Sequence, residues 1–101
     1  MDQFAILAIL HAKSGKEEEV EDFLKSAQPL VLQEPGTTNW FALKLGPAQF
    51  AIFDTFPDAA GRDAHLSGAI ARALFAKAED LFSEPPRIEQ GEILASKTSS
   101  T

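Results

Sequence analysis

The sequence predicts an α+β domain with ferredoxin-like βαββαβ order and an antiparallel four-stranded sheet. Three observations carry that prediction. Four short segments have strand composition: residues 4–12, 37–45, 49–56 and 87–95. Two helical stretches lie between the first and second of these and between the third and fourth. The link between the second and third, "GPA" at residues 46–48, is short enough to make them a hairpin.

The first strand, "FAILAILHA" at residues 4–12, is apolar in both of its alternating sets. The stretch "KSGKEEEVEDFLKSAQPLVLQEPG" reads as a turn and a helix. Ser14 or Gly15 can begin that helix, and Glu17, Glu18 and Glu19 suit the positive end of its dipole. Val20, Phe23, Leu24, Ala27 and Val31 share one helical face. Pro29 argues for a kink or an early end, and "EPG" at residues 34–36 is a strong stop. "TTNWFALKL" and "QFAIFDTF" form the hairpin strands. Pro57 and Asp58 signal the next helix start, and Gly61 and Gly68 weaken it, which predicts a break near Gly68. The helix resumes with Ile70, Leu74, Ala78 and Leu81 on one face and ends at "SEPPR". "RIEQGEILA" is the last strand. Residues 1–95 read as a single domain, and residues 96–101, "SKTSST", as a polar, disordered tail.

Composition excludes several function classes. The chain has 101 residues, a net charge of -6 and a pI of about 4.7. A surface of that sign does not bind a phosphate backbone, so no nucleic-acid partner is expected. With no cysteine there is no disulfide or thiolate chemistry. The two histidines, His11 and His65, lack the spacing of a metal motif, so no metal is expected; nor is there a glycine-rich phosphate loop. The opening "MDQFAILAIL" carries an acidic residue where a signal peptide needs positive charge, and its apolar run is too short to span a membrane. A soluble, cytoplasmic protein without a membrane partner is the expectation.

In this topology helices cover one face of the sheet only. Yet the first strand is apolar on both faces, and the third carries Phe50 and Ile52 on one side, Ala51 and Phe53 on the other. The second face needs a cover, which predicts a homodimer packed sheet to sheet.

Four motifs, in this order and spacing, resemble the antibiotic biosynthesis monooxygenase family of the dimeric α+β barrel superfamily. They are Lys13 to Glu17, Glu34 to Gly36, the aromatic Phe56 that closes the third strand, and Ala64 to Leu66. The likeness spans roughly residues 4–94. It implies a substrate pocket inside each subunit, between helices and sheet, and cofactor-independent oxidation of phenolic, polyketide-like or quinol substrates by dioxygen. No cofactor is therefore expected, and the implied ligand is a small aromatic molecule. Haem-degrading relatives carry an asparagine, tryptophan and histidine set. Those places resemble Ala8, His65 and Phe75 here, which do not match in type, so haem degradation is not carried over. Phe56 stands where many members have tryptophan, and the chain has no tyrosine to assist a phenol.

The candidate site follows from the resemblance and from residue chemistry together. His65 is the candidate base or substrate binder, because an imidazole titrates near neutral pH. Its bland alternative is a half-exposed helix histidine bonded to a neighbour. Asn39 is a catalytic candidate that can orient a carbonyl or peroxide, and Trp40 can stack on an aromatic ring. Asn39 and Trp40 are adjacent in one strand and point to opposite faces, so only one can line a given pocket. Phe53, Phe56 and His11 complete the substrate-binding candidates. His11 shares its strand face with Leu7 and Ile9, which also suits a structural role. Of Asp54 and Thr55 one faces inward, and an inward Asp54 can pair with a histidine or arginine. Arg62 and Arg72 flank the His65 region, where plain surface charges are also common. Two readings stay open: a cofactor-independent monooxygenase, or a non-catalytic ligand-binding or stress-related dimer on the same scaffold.

Overall fold

A computed structural model describes residues 2–99 of the chain. Its elements are β1 (Phe4–His11), α1 (Glu17–Val31), β2 (Asn39–Lys44), β3 (Gln49–Phe56), α2 (Ala59–Leu66), α3 (Ala69–Leu81) and β4 (Arg87–Glu92). The strands form one antiparallel sheet in the order β2-β3-β1-β4. This is the ferredoxin-like βαββαβ arrangement, with its second helical unit broken in two where Ser67 and Gly68 separate α2 from α3.

The register decides which side chains share a face. Leu10 opposes Phe50, Ala8 opposes Ile52 and Ile6 opposes Asp54. Side chains alternate along a strand, so this set points one way, toward the helices. There Ala8, Leu10, Phe50 and Ile52 pack against Val20 and Leu24 of α1 and Leu74 and Leu81 of α3. A second, smaller cluster joins Ala27, Val31 and Ile70, and Trp40 packs against both clusters. The other set faces away from the helices. It includes Leu7, Phe41 and Leu43, which are exposed among the described residues.

Several boundaries differ from the sequence expectation, each for a local reason. The first helix begins at Glu17 rather than at Ser14 or Gly15. Gly15 takes a left-handed φ of 88°, a turn conformation that a helix start does not use. Pro29 lies inside the last turn of α1 and the helix ends two residues later, at Val31, so only a terminal backbone bond is lost. Ala12 leaves β1 and forms an isolated bridge with Phe82. Both β2 and β4 are shorter than the expected 37–45 and 87–95, and β4 ends where the first residue of β1, Phe4, has been paired with Glu92. Thr38 keeps one bond to Thr55 but lies outside the ladder, and Ile93 bonds Gln3, just ahead of β1. From Ser96 to Ser99 the tail forms no helix or strand; its expected end at residues 100–101 lies outside the described residues.

Candidate functional site

The α2 helix is built to bring His65 inward. Asp58, in an extended conformation, caps it, its side chain accepting a 2.8 Å hydrogen bond from the Gly61 amide. His65 follows Gly61 by one turn and therefore projects from the same face. That face meets the loop between α1 and β2 on one side and strand β3 on the other.

His65 is only 8% exposed and touches a carboxylate through each ring nitrogen. Nδ1 lies 2.7 Å from Glu34 Oε1, and Nε2 lies 2.8 Å from Asp54 Oδ2. The Phe56 ring packs beside the imidazole at 5.5 Å between centroids. Glu34 Oε1 also accepts a 2.8 Å hydrogen bond from the Thr37 hydroxyl. Asp54 is 1% exposed, and neither of its oxygens receives a well-directed hydrogen bond from the described residues. The 2.8 Å contact with Nε2 is thus the partner of this buried carboxylate.

This arrangement favours the imidazolium. Burial works against the charge, but the contacts with Asp54 and Glu34 outweigh it and raise the imidazole pKa above its ordinary value. The hydrogen inventory gives the same answer. A neutral imidazole has one N–H and can satisfy one carboxylate; the imidazolium has two and can satisfy both.

The Glu34 carboxylate has a second neighbour. Its Oε2 lies 3.4 Å from the position that a β-carbon on Gly68 would take. Gly68 is the N-cap of α3, which has no side-chain cap and no acidic residue in its first turn. Glu34 thus supplies from another element the negative charge that this helix end favours.

A cavity of about 370 Å³ opens at the Glu34 side of the trio. Leu30, Pro35, Ala64 and Ala69 give it apolar walls, and Glu34 and His65 give it a polar end. Its volume lies in the range of small-molecule sites. Glu34 is the more open of the two acids, with 22% of its side chain exposed, whereas Asp54 is sealed behind His65.

The sheet divides the sequence candidates. His65 and Phe56 lie together on the helix side. Trp40 lies on that side too, directly across the β2–β3 ladder from Asp54, with its Nε1 buried and without a hydrogen-bond partner among the described residues. Asn39 and Phe53 lie on the opposite side. There Asn39 Nδ2 donates to Thr55 Oγ1 at 2.9 Å, and Thr55 Oγ1 donates to Asp2 Oδ2 at 2.6 Å. Asn39, Phe41, Phe53 and Thr55 help line a second, larger hollow of about 870 Å³ beneath residues 95–99. His11 is remote from both places and pairs with Glu84 at 3.2 Å on a half-exposed surface. Asp54 is the inward member of the Asp54 and Thr55 pair and has a histidine partner. Arg62 lies over the Phe4 ring at 4.8 Å.

Glu34 was not a sequence candidate. It reads there as part of a helix stop, and nothing in its local pattern announces a buried partner 31 residues away.

No protein-family model matches the chain, and no curated protein does. Solved structures do. The chain is 52% identical to the NE2512 protein of unknown function from Nitrosomonas europaea, with a TM-score of 0.95 over 100% of this chain and 98% of that one. It also resembles a protein of the same organism proposed to be an antibiotic biosynthesis monooxygenase, at 17% identity, covering 91% of this chain and 99% of that one, with a TM-score of 0.81. A Bacteroides thetaiotaomicron protein of unknown function, suggested to be an oxidoreductase, matches at 16% identity over 91% of this chain and 98% of that one, with a TM-score of 0.77. The last two likenesses establish a shared fold. The first goes further: this chain belongs to the family of the NE2512 protein of Nitrosomonas europaea, on the ferredoxin-like fold that antibiotic biosynthesis monooxygenase-like proteins share.

Proposed function

We propose that this protein oxidises a small aromatic or quinol-like molecule with dioxygen, without a cofactor, in the manner of antibiotic biosynthesis monooxygenases. The observation that carries the reading is the Asp54–His65–Glu34 chain of contacts, sealed at Asp54 and open to an apolar cavity at Glu34. Apolar walls with a proton acceptor at one end suit a flat ring bearing a hydroxyl.

Each residue then has a role. The substrate hydroxyl approaches Glu34, and its proton passes through that carboxylate to a neutral His65. The resulting imidazolium is stabilised by Asp54 on its far side, which never needs to move. The raised pKa of His65 makes it a stronger base than a free imidazole, closer to a phenol's own value of roughly 10. The phenolate left behind is electron-rich and gives electrons to dioxygen. The fold likeness to proteins proposed as monooxygenases and oxidoreductases supports this reading.

The homodimer belongs to the same proposal. Leu7, Phe41 and Leu43 on the face away from the helices give it an apolar surface to bury. The single domain over residues 1–95 and a cytoplasmic location complete the proposal.

Oxygen uptake with a panel of hydroquinones and anthrones tests the reaction. Wild type should consume oxygen, and His65→Ala and Glu34→Gln should each lose about a hundredfold of that rate. The wild-type rate should rise with pH as His65 is deprotonated. Undiminished turnover in His65→Ala would remove it from the mechanism. Ligand-induced melting shifts with no turnover would favour a binding module instead.

A further inference from the structure

The loop that carries Glu34 touches α2 through bare backbone. A β-carbon on Gly36 would sit 2.9 Å from the Gly61 α-carbon, and one on Gly61 would sit 2.6 Å from the Gly36 carbonyl oxygen. Real β-carbons do not come that close to backbone, and backbone cannot swing aside as a long side chain can. Gly36 lies two residues after Glu34, and Gly61 lies one helical turn before His65. The contact therefore lies a few residues along the chain from each member of the 2.7 Å Glu34–His65 pair.

We infer that Gly36 and Gly61 are positioning residues of the Glu34–His65 pair: their backbone contact sets how closely the loop carboxylate approaches the imidazole. The alternative, that glycine is needed for a left-handed backbone, does not hold, because Gly15 is the glycine with positive φ among the described residues. A methyl group at either site lifts the loop from α2. Asp54 is fixed in β3 and stays with Nε2, while Glu34 moves away from Nδ1. The groups that face His65 are then Asp54 from β3, Phe56 beside the ring, and a more distant Glu34 from the loop. The catalytic part of this inference rests on the proposed reaction; the geometric part does not.

The imidazole titration of His65, followed by NMR, separates the two. In folded Gly61→Ala the His65 midpoint should fall, since one of its two stabilising carboxylates has receded. In a Glu34→Gln background the same change should cause no further fall, because the contact acts through Glu34. Gly46→Ala, whose β-carbon would meet nothing within 4 Å, should leave the midpoint in place. Oxygen uptake, if the proposed reaction holds, should drop roughly ten- to a hundredfold in Gly61→Ala, as misplacement of an acid–base pair implies. An unchanged His65 midpoint in folded Gly61→Ala overturns the inference whatever the rate does. Should Gly61→Ala not fold, Gly36→Ala, the smaller intrusion, takes its place. If neither folds, the contact supports the fold rather than the pair, and the inference fails.

Discussion

The two faces of the sheet use similar strand residues in alternation, yet they have become different surfaces. On the helix side Phe50, Phe56 and Leu10 are fully covered, and two acids and a histidine are folded into contact behind them. On the other side Phe41 and Leu43 are exposed, and the polar residues Asn39, Thr55 and Asp2 bond one another at one end. Charge on the helix side has left bulk water and depends on its partners. Apolar surface on the other side is in water and depends on a cover. One face is therefore sensitive to the loss of a charge and the other to the gain of one.

The largest effect should come from breaking the buried charge set. His65→Ala leaves Asp54 buried without its counter-charge, which costs about 3 kcal/mol or more. Urea unfolding monitored by circular dichroism measures it; a loss below about 1 kcal/mol would mean that water reaches the Asp54 carboxylate once the imidazole is gone. Next comes the open face. Phe41→Asp should leave the fold intact and weaken the proposed homodimer roughly thirtyfold or more, the loss typical of a hot-spot residue. Sedimentation across a concentration series reads this, and an unaltered distribution would place the dimer elsewhere. A milder contrast is Asn39→Ala, on the same face as Phe41. It removes hydrogen bonds to Thr55 and Asp2 and should cost about 1 kcal/mol in the same urea assay. A cost as large as that of His65→Ala would erase the distinction between the faces.

The subtlest test uses pH. The folded pKa of His65 is raised by the two carboxylates against the cost of burial. Its contribution to stability is then complete below the unfolded value of roughly 6.5 and is lost as pH rises through the folded value. Wild type should lose stability over that window, and His65→Gln should lack that component of the slope. Under the proposed reaction, oxygen uptake should rise over the same window, because the base must be neutral to act. Stability and rate moving in the same direction there would contradict the assignment of His65 as base.

Most of the architecture was legible in the chain. Strand and helix order, the hairpin at Gly46, the cap at Asp58, the break at Gly68 and the opposed faces of Asn39 and Trp40 all follow from local preferences and from the alternation of a pleated strand. These are short-range properties, fixed within a few residues. Strand ends were less legible, because Glu92 ends β4 where β1 has no further residue to offer, and that is a property of the neighbour. The inward turn of Asp54 was legible only as one of two options.

Sequence by itself determined the βαββαβ order, the apolar excess on both sheet faces and the place of His65 on the helix that follows β3. Only the tertiary structure decided that Glu34 reaches that histidine, that Asn39 and His65 lie on opposite sides of the sheet, and that Gly36 meets Gly61. The reason is range. Periodicity and capping act within a turn or a pleat, whereas Glu34, Asp54 and His65 are far apart in the chain and meet because packing of the loop, β3 and α2 leaves them one shared place to put their charge.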